Sequence, residues 1–163
     1  MFRLFLAVLL AACAAVGSRA QQHSFTQLST KDGLAQSQVR AMAQDAQGYL
    51  WFGTLGGASR FDGLEFTNYA LTDGLPDPQV SAMARAASGD LFLATGNLVT
   101  RWNGRAFRTH ELPATSNGAR ILALVAAEDG AIYIGTDGGG VFVLNGDQVA
   151  PLPGYPMVEG ANV

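Results

Sequence analysis

The sequence predicts an all-β protein made of β-propeller blades: about three four-stranded antiparallel meanders of about 41 residues plus the start of a fourth, an incomplete ring. Three observations lead there. Leu50-Trp51-Phe52-Gly53-Thr54 returns 41 residues on as Leu91-Phe92-Leu93-Ala94-Thr95, and 41 further on as Ile132-Tyr133-Ile134-Gly135-Thr136. The register spans the whole unit: Phe25, Phe66 and Phe107 keep the same spacing, as do Val39, Val80 and Ile121. The extra residue in Gly138-Gly139-Gly140 then moves the offset to 42, setting Val149 against Phe107. Finally, a 3.6-residue period is missing and glycine recurs every 8–15 residues, which suits short strands and turns. The units fall at about 25–65, 66–106 and 107–148, with a fourth cut off at Val163.

Each element has its own signal. Residues 25–28 read as an outer strand and residues 29–38, polar and turn-rich, as a loop. From Val39 to Asp45 the chain alternates, with Val39, Ala41 and Ala43 on one face and Arg40, Met42 and Gln44 on the other, a period of 2. The small residues Ala41, Ala43, Ala82, Ala84 and Ala123 suit a strand in a crowded place, the narrow centre of a ring. Asp45-Ala46-Gln47-Gly48 is a hairpin turn, capped by the Asp, with Gly48 taking the positive φ. Residues 49–54 form a second strand, apolar on both faces, and such a strand must be covered on both sides. Residues 58–61 and 65–69 supply the third and fourth strands. Asp62-Gly63, Asn103-Gly104 and Asn145-Gly146 mark the tight turns before each outer strand. A lone meander of this kind cannot bury its two apolar faces, and stacking copies around an axis can.

The first 20 residues read as an export signal: Arg3, an apolar run from Leu4 to Val16 too short to span a bilayer, and Ser18-Arg19-Ala20 before the cleavage point. A competing site is Leu10-Ala11-Ala12-Cys13, which resembles a lipobox and would place a lipid on Cys13. Both routes carry residues 21–163 across the membrane as about one domain. Without the export segment the chain has eight basic and thirteen acidic residues, a net charge of -5, and no Cys. That excludes a disulfide framework and a thiolate metal site, and leaves no basic stripe for nucleic acid. The remainder has no second long apolar run, so contact with a membrane requires segments beyond it or the lipid.

Asp32-Gly33-Leu34, Val39, the stretch Asp45 to Thr54, and Gly57 to Gly63 together resemble the two-component regulator propeller repeat. The second unit matches with substitutions, read as Arg85 for the Asp and Ala94 for the Gly; the third has Ala114-Thr115-Ser116 in place of Asp-Gly-Leu. The resemblance implies the extracytoplasmic, ligand-sensing part of a bacterial receptor. Its relatives continue into a β-sandwich, a transmembrane helix and a cytoplasmic histidine kinase or diguanylate cyclase, and commonly sense a carbohydrate fragment. It also implies a truncated ring that needs further blades or a second chain to close it. Two other readings stand beside this one: a free periplasmic adaptor that completes its ring with another protein, and a propeller lyase or glycosidase.

The residues offer little catalytic chemistry. His23 and His110 read as exposed polar residues in a lead and a loop. Asp45, Asp73 and Asp129 read as turn caps, and Gly138-Gly139-Gly140 as a hairpin loop. The inner strands offer Arg40, Gln44, Arg85 and Glu128, poor material for acid–base work. No catalytic residue, metal ligand or cofactor is expected. Trp51 reads as inter-blade packing, and Arg60 and Arg101 as solvated or ion-paired. The weak candidates for ligand binding are Arg40, on the innermost strand, and Trp102, beside a turn; solvation or a salt bridge for Arg40 and packing for Trp102 are the favoured readings.

Overall fold

The computed structural model describes residues 25–154. The export segment with Cys13 and Ala20, His23, and the last residues through Val163 lie outside the described residues. Twelve strands form three separate four-stranded antiparallel sheets, each in simple sequence order. The first blade is β1 (Val39–Gln44), β2 (Leu50–Thr54), β3 (Gly57–Phe61) and β4 (Phe66–Tyr69). The second is β5 (Val80–Arg85), β6 (Leu91–Thr95), β7 (Leu98–Trp102) and β8 (Phe107–Glu111). The third is β9 (Ile121–Ala126), β10 (Ile132–Thr136), β11 (Val141–Asn145) and β12 (Gln148–Pro151). The opening strands β1, β5 and β9 lie side by side, so they are the inner strands of an arc of three propeller blades.

The sheets are out of phase with the sequence units: each blade closes with the strand that opens the next unit. This explains one correction. Residues 25–28 stand outside all three sheets, although their counterparts β4 and β8 are regular outer strands. An outer strand takes its hydrogen bonds from the third strand before it, and no third strand precedes residue 25 among the described residues. The loops entering each blade also hold a 3-10 turn: Thr30–Asp32, Leu71–Asp73 and Ala114–Ser116. In the first two, a carboxylate accepts from the backbone three residues back, Asp32 from Ser29 N–H at 2.8 Å and Asp73 from Ala70 N–H at 2.9 Å.

Two turn readings also change. The loops at Asp62-Gly63 and Asn103-Gly104 are four residues long, not two, because Asp62 and Asn103 each accept two backbone N–H bonds across the loop. Of these three turns before an outer strand, only the third is two residues long, Gly146 and Asp147, with Asn145 the last residue of β11. The hairpin bonds also place Ala86, not Arg85, at the position of Asp45, since Gly89 N–H donates to Ala86 O as Gly48 N–H does to Asp45 O. Ala127 stands there in the third blade, where Gly130 N–H donates to its carbonyl.

The core lies in the two seams between blades. In the first, Trp51 and Ala58 of blade one meet Val80, Leu91, Leu93 and Trp102 of blade two. In the second, Phe92, Ala94 and Val99 of blade two meet Ile121, Ile132 and Ile134 of blade three. Blade two is thus apolar on both faces because it is covered on both, as the character of its second strand requires. The Thr ending each second strand secures the turn that follows. Its hydroxyl donates to a carbonyl across that turn, at 2.8 Å for Thr54 to Gly57 and 2.7 Å for Thr136 to Gly140. Gly53 marks the tightest approach between blades. A Cβ there would meet Val80 Cγ1 at 2.7 Å and the Val80 carbonyl at 3.1 Å.

Candidate functional site

Each blade carries a β-bulge near the start of its inner strand. Pairing slips between Val39 and Ala41, between Val80 and Ala82, and opposite Gly135 and Thr136 between Ile121 and Ala123. The residues inside the slips are Arg40, Ser81 and Leu122, equivalent by the repeat. A bulge re-aims the side chain it carries. All three line one cleft of about 320 Å³ at the end of the arc where the inner strands begin. Arg120, Asp77 and Asn97 line the same cleft. Arg40 thus leaves the simple alternation with Met42 and Gln44 that the sequence suggests. It makes no hydrogen bond or ion pair among the described residues. Ser81 Oγ donates to Ile121 O at 2.7 Å, tying the cleft floor across the second seam. Asp77 accepts from Gln79 N–H at 2.7 Å.

The other candidate, Trp102, does not belong to this cleft. It is 8 % exposed, and its ring lies 4.6 Å from Phe107, 5.3 Å from Tyr69 and 5.6 Å from Trp51. Packing, the reading the sequence favours for it over sugar stacking, is what the structure shows: the ring is used by the first seam and presents no open face for stacking. Arg60 and Arg101 are likewise occupied. They hold the same position in successive blades, and each is matched in a different way to the residue just before the neighbouring second strand. Arg60 lies over the Tyr49 ring at 4.7 Å. Arg101 pairs with Asp90 at 2.6 Å, Asp90 standing where Tyr49 does. The third blade has Val143 and Ala131 there, an apolar solution to the same contact.

For His110 the expectation is corrected. It sits within β8 and is 6 % exposed, not in a solvated loop. By the repeat it stands where Tyr69 does in blade one. Burial pushes its pKa below the ordinary imidazole value, against the opposing pull of Asp147. Its Nε2 has no hydrogen-bond partner, which suits a neutral ring in a seam. Glu128 lies in the hairpin after β9 rather than on an inner strand, and Gln44 is spent on Gly48 O at 2.9 Å. The three carboxylates read as turn caps do act so: Asp45 accepts from Gln47 and Tyr49 N–H, Asp73 from Ala70 N–H, and Asp129 from Ala131 N–H. Asp45 also does more than cap its turn, accepting the Trp51 indole N–H at 2.8 Å while 4 % exposed. Among the described residues no group of three or more His, Cys, Asp or Glu side chains could hold a metal ion.

The repeated bulges thus gather non-repeating side chains at one end of the arc. Residues 33–56 match the two component regulator propeller model. Solved structures share the blades. The extracellular domain of a protein described as a putative hybrid two component system of B. thetaiotaomicron, BT3049, superposes with a TM-score of 0.64 at 22 % identity, over 76 % of this chain and 18 % of that one. A second such extracellular domain from B. thetaiotaomicron gives 0.61 at 19 % identity, over 76 % and 19 %. The virginiamycin B lyase of Staphylococcus aureus gives 0.63 at 16 % identity, over 83 % and 47 %. This chain spans less than half the length of each, and at these identities the likeness is one of fold. No curated protein gives a significant match.

Proposed function

We propose that this chain is a ligand-sensing module of an extracytoplasmic bacterial receptor of the two-component type, and that its ligand is a small anionic molecule, a carbohydrate fragment bearing a carboxylate. The observation that carries the reading is the cleft where the three bulges converge, with Arg40 and Arg120 on its wall. A guanidinium binds a carboxylate through paired N–H donors, and Asn97 and Ser81 suit sugar hydroxyls. The propeller repeat at 33–56 and the extracellular domains that share the blades support placement outside the cytoplasm and a role in signalling. On this reading the chain is exported by its first 20 residues, and the output lies in segments or partners beyond it. It performs no chemistry of its own. The lyase shares the blade fold, but the cleft here is lined by one carboxylate, Asp77, and by no His, a poor set for proton abstraction.

Calorimetric titration of the purified chain with uronate-containing and matched neutral oligosaccharides tests this. Saturable binding of the acidic set, weakened at least tenfold in Arg40→Ala and in Arg120→Ala, is expected. Equal binding of neutral and acidic sugars, or binding indifferent to both substitutions, overturns the assignment of the cleft. Turnover of any of these sugars would overturn the non-enzymatic reading.

A further inference from the structure

The two internal seams are built on one plan but are not filled alike. At the end of the arc where the inner strands finish, opposite the cleft, the first seam is packed with side chains. The rings of Trp51 and Trp102 meet there at 5.6 Å, and the Trp51 indole donates its N–H to Asp45 at 2.8 Å. The same three positions in the second seam hold Phe92, Leu144 and Ala86, each smaller. The hairpin turns also stand further apart. A Cβ added to Gly89 in the first seam would lie 3.0 Å from the Ala46 Cβ, whereas one on Gly130, its counterpart in the second, meets nothing within 4 Å. What remains is a cavity of about 170 Å³, with Phe92, Ile132 and Leu144 in its lining and Asp90 and Arg101 on its wall. Both walls come from blades two and three, so the cavity does not depend on what adjoins the outer faces of the arc.

We infer that this cavity binds a small planar aromatic molecule carrying an N–H donor, an indole-like ring. The repeat specifies the occupant, because what the second seam lacks is an indole face and its N–H contact with a carboxylate. The apolar lining receives the ring: a space of about 150 Å³ walled by Leu, Ile and Phe is enough to take up benzene. Phe92 adds an aromatic partner for offset or edge-on contact. Asp90 receives the N–H. Its Oδ2 accepts from Ser88 Oγ at 2.9 Å and from Arg101 Nε and Nη2 at 3.1 and 2.6 Å, which leaves Oδ1 without a hydrogen bond among the described residues. An ionised acceptor makes a hydrogen bond about twice as strong as a neutral one. An anionic ligand is disfavoured here, since Asp90 already neutralises Arg101 and would repel a second carboxylate. The site is separate from the cleft and independent of what that cleft binds.

Heteronuclear NMR of the full chain, labelled at Ile and Leu methyl groups, reads the outcome. The probe is indole, and the control is benzofuran, an isostere without an N–H. Saturable shifts at the Ile132 and Leu144 methyls are expected with indole, with a dissociation constant at least fivefold higher for benzofuran. Leu144→Trp, which copies Trp102 and fills the cavity, should weaken indole binding at least tenfold with unchanged far-ultraviolet circular dichroism. Asp90→Tyr, which copies Tyr49 and removes the carboxylate, should do the same, and it decides the matter if Leu144→Trp does not fold. No shift at those methyls up to the solubility of indole overturns the proposal. Equal binding of benzofuran, or indole binding indifferent to the variants, overturns it as well.

Discussion

Replacing Asp45 tests how the first hairpin and the first seam are joined. Its carboxylate is 4 % exposed and accepts three N–H bonds: Gln47 at 3.0 Å, Tyr49 at 2.9 Å and the Trp51 indole at 2.8 Å. Asp45→Ala leaves the indole N–H of a fully buried ring without an acceptor. A buried orphaned donor costs about 1–3 kcal/mol, and the two turn bonds, whose donors water can reach, add about 1 kcal/mol more, for about 3 kcal/mol in all. Blades two and three show the alternative, with Ala86 and Ala127 at this turn and Phe92 and Tyr133 in place of the indole. Where the ring lacks an N–H directed at the turn, the carboxylate is dispensable. The double variant Asp45→Ala/Trp51→Phe should therefore be less destabilised than the sum of the single variants by about 1–2 kcal/mol, within the usual range for contacting residues. Urea titration followed by far-ultraviolet circular dichroism gives the cycle without relying on Trp fluorescence. An NMR spectrum of the indole N–H should show an upfield move in Asp45→Ala. Strict additivity across the cycle would refute the account, since it would mean the indole–carboxylate bond carries no coupling.

Three further outcomes follow from the same seams. Gly53→Ala should lower stability by about 1–3 kcal/mol in the same titration, the cost of overpacking where a Cβ would meet Val80. The His110 ring is held below its ordinary pKa by burial, so the unfolded chain binds the proton more tightly. Stability should then fall as pH drops below the unfolded value of about 6.5, by about 1.4 kcal/mol per tenfold difference in proton affinity, and level off below the folded pKa. His110→Tyr, which copies Tyr69, should flatten that part of the pH profile measured by thermal melts. Asp90→Tyr, which copies the Tyr49–Arg60 contact, should change the unfolding free energy in urea by less than about 1 kcal/mol, because the Arg101 side chain is 34 % exposed and partly screened.

Much of the architecture is legible in the chain because it is written three times. A single Leu-Trp-Phe-Gly-Thr run could be any buried strand, but three in register define the blade, its turn glycines and the phase of its alternation. Less is legible where copies differ. Reading Arg85 against Asp45 slips one place at the strand end: the 41-residue offset itself sets Ala86 there, and the hairpin bonds agree. For Trp102 the polar neighbours Arg101 and Asn103 leave a stacking role open beside the favoured packing one, and alternation along β7, which puts the ring in the seam, decides for packing. Arg40 stands out from its place on the inner strand, whereas Arg120, Asp77 and Asn97 do not, since they come from loops rather than from strands. The bulge before each inner Ala pair is the feature that gathers these residues, and it is invisible until pairing register is known.

The repeat, the strand order within each blade and the need for cover on both sheet faces can all be read from the chain alone, because periodicity and turn chemistry are properties of neighbouring residues. Three things cannot: which face of each blade meets the next, which side chains the bulges turn into one cleft, and that His110 is a packing residue. Those emerge from register between strands and from the seating of one blade against another, contacts between residues tens of positions apart that no single unit encodes.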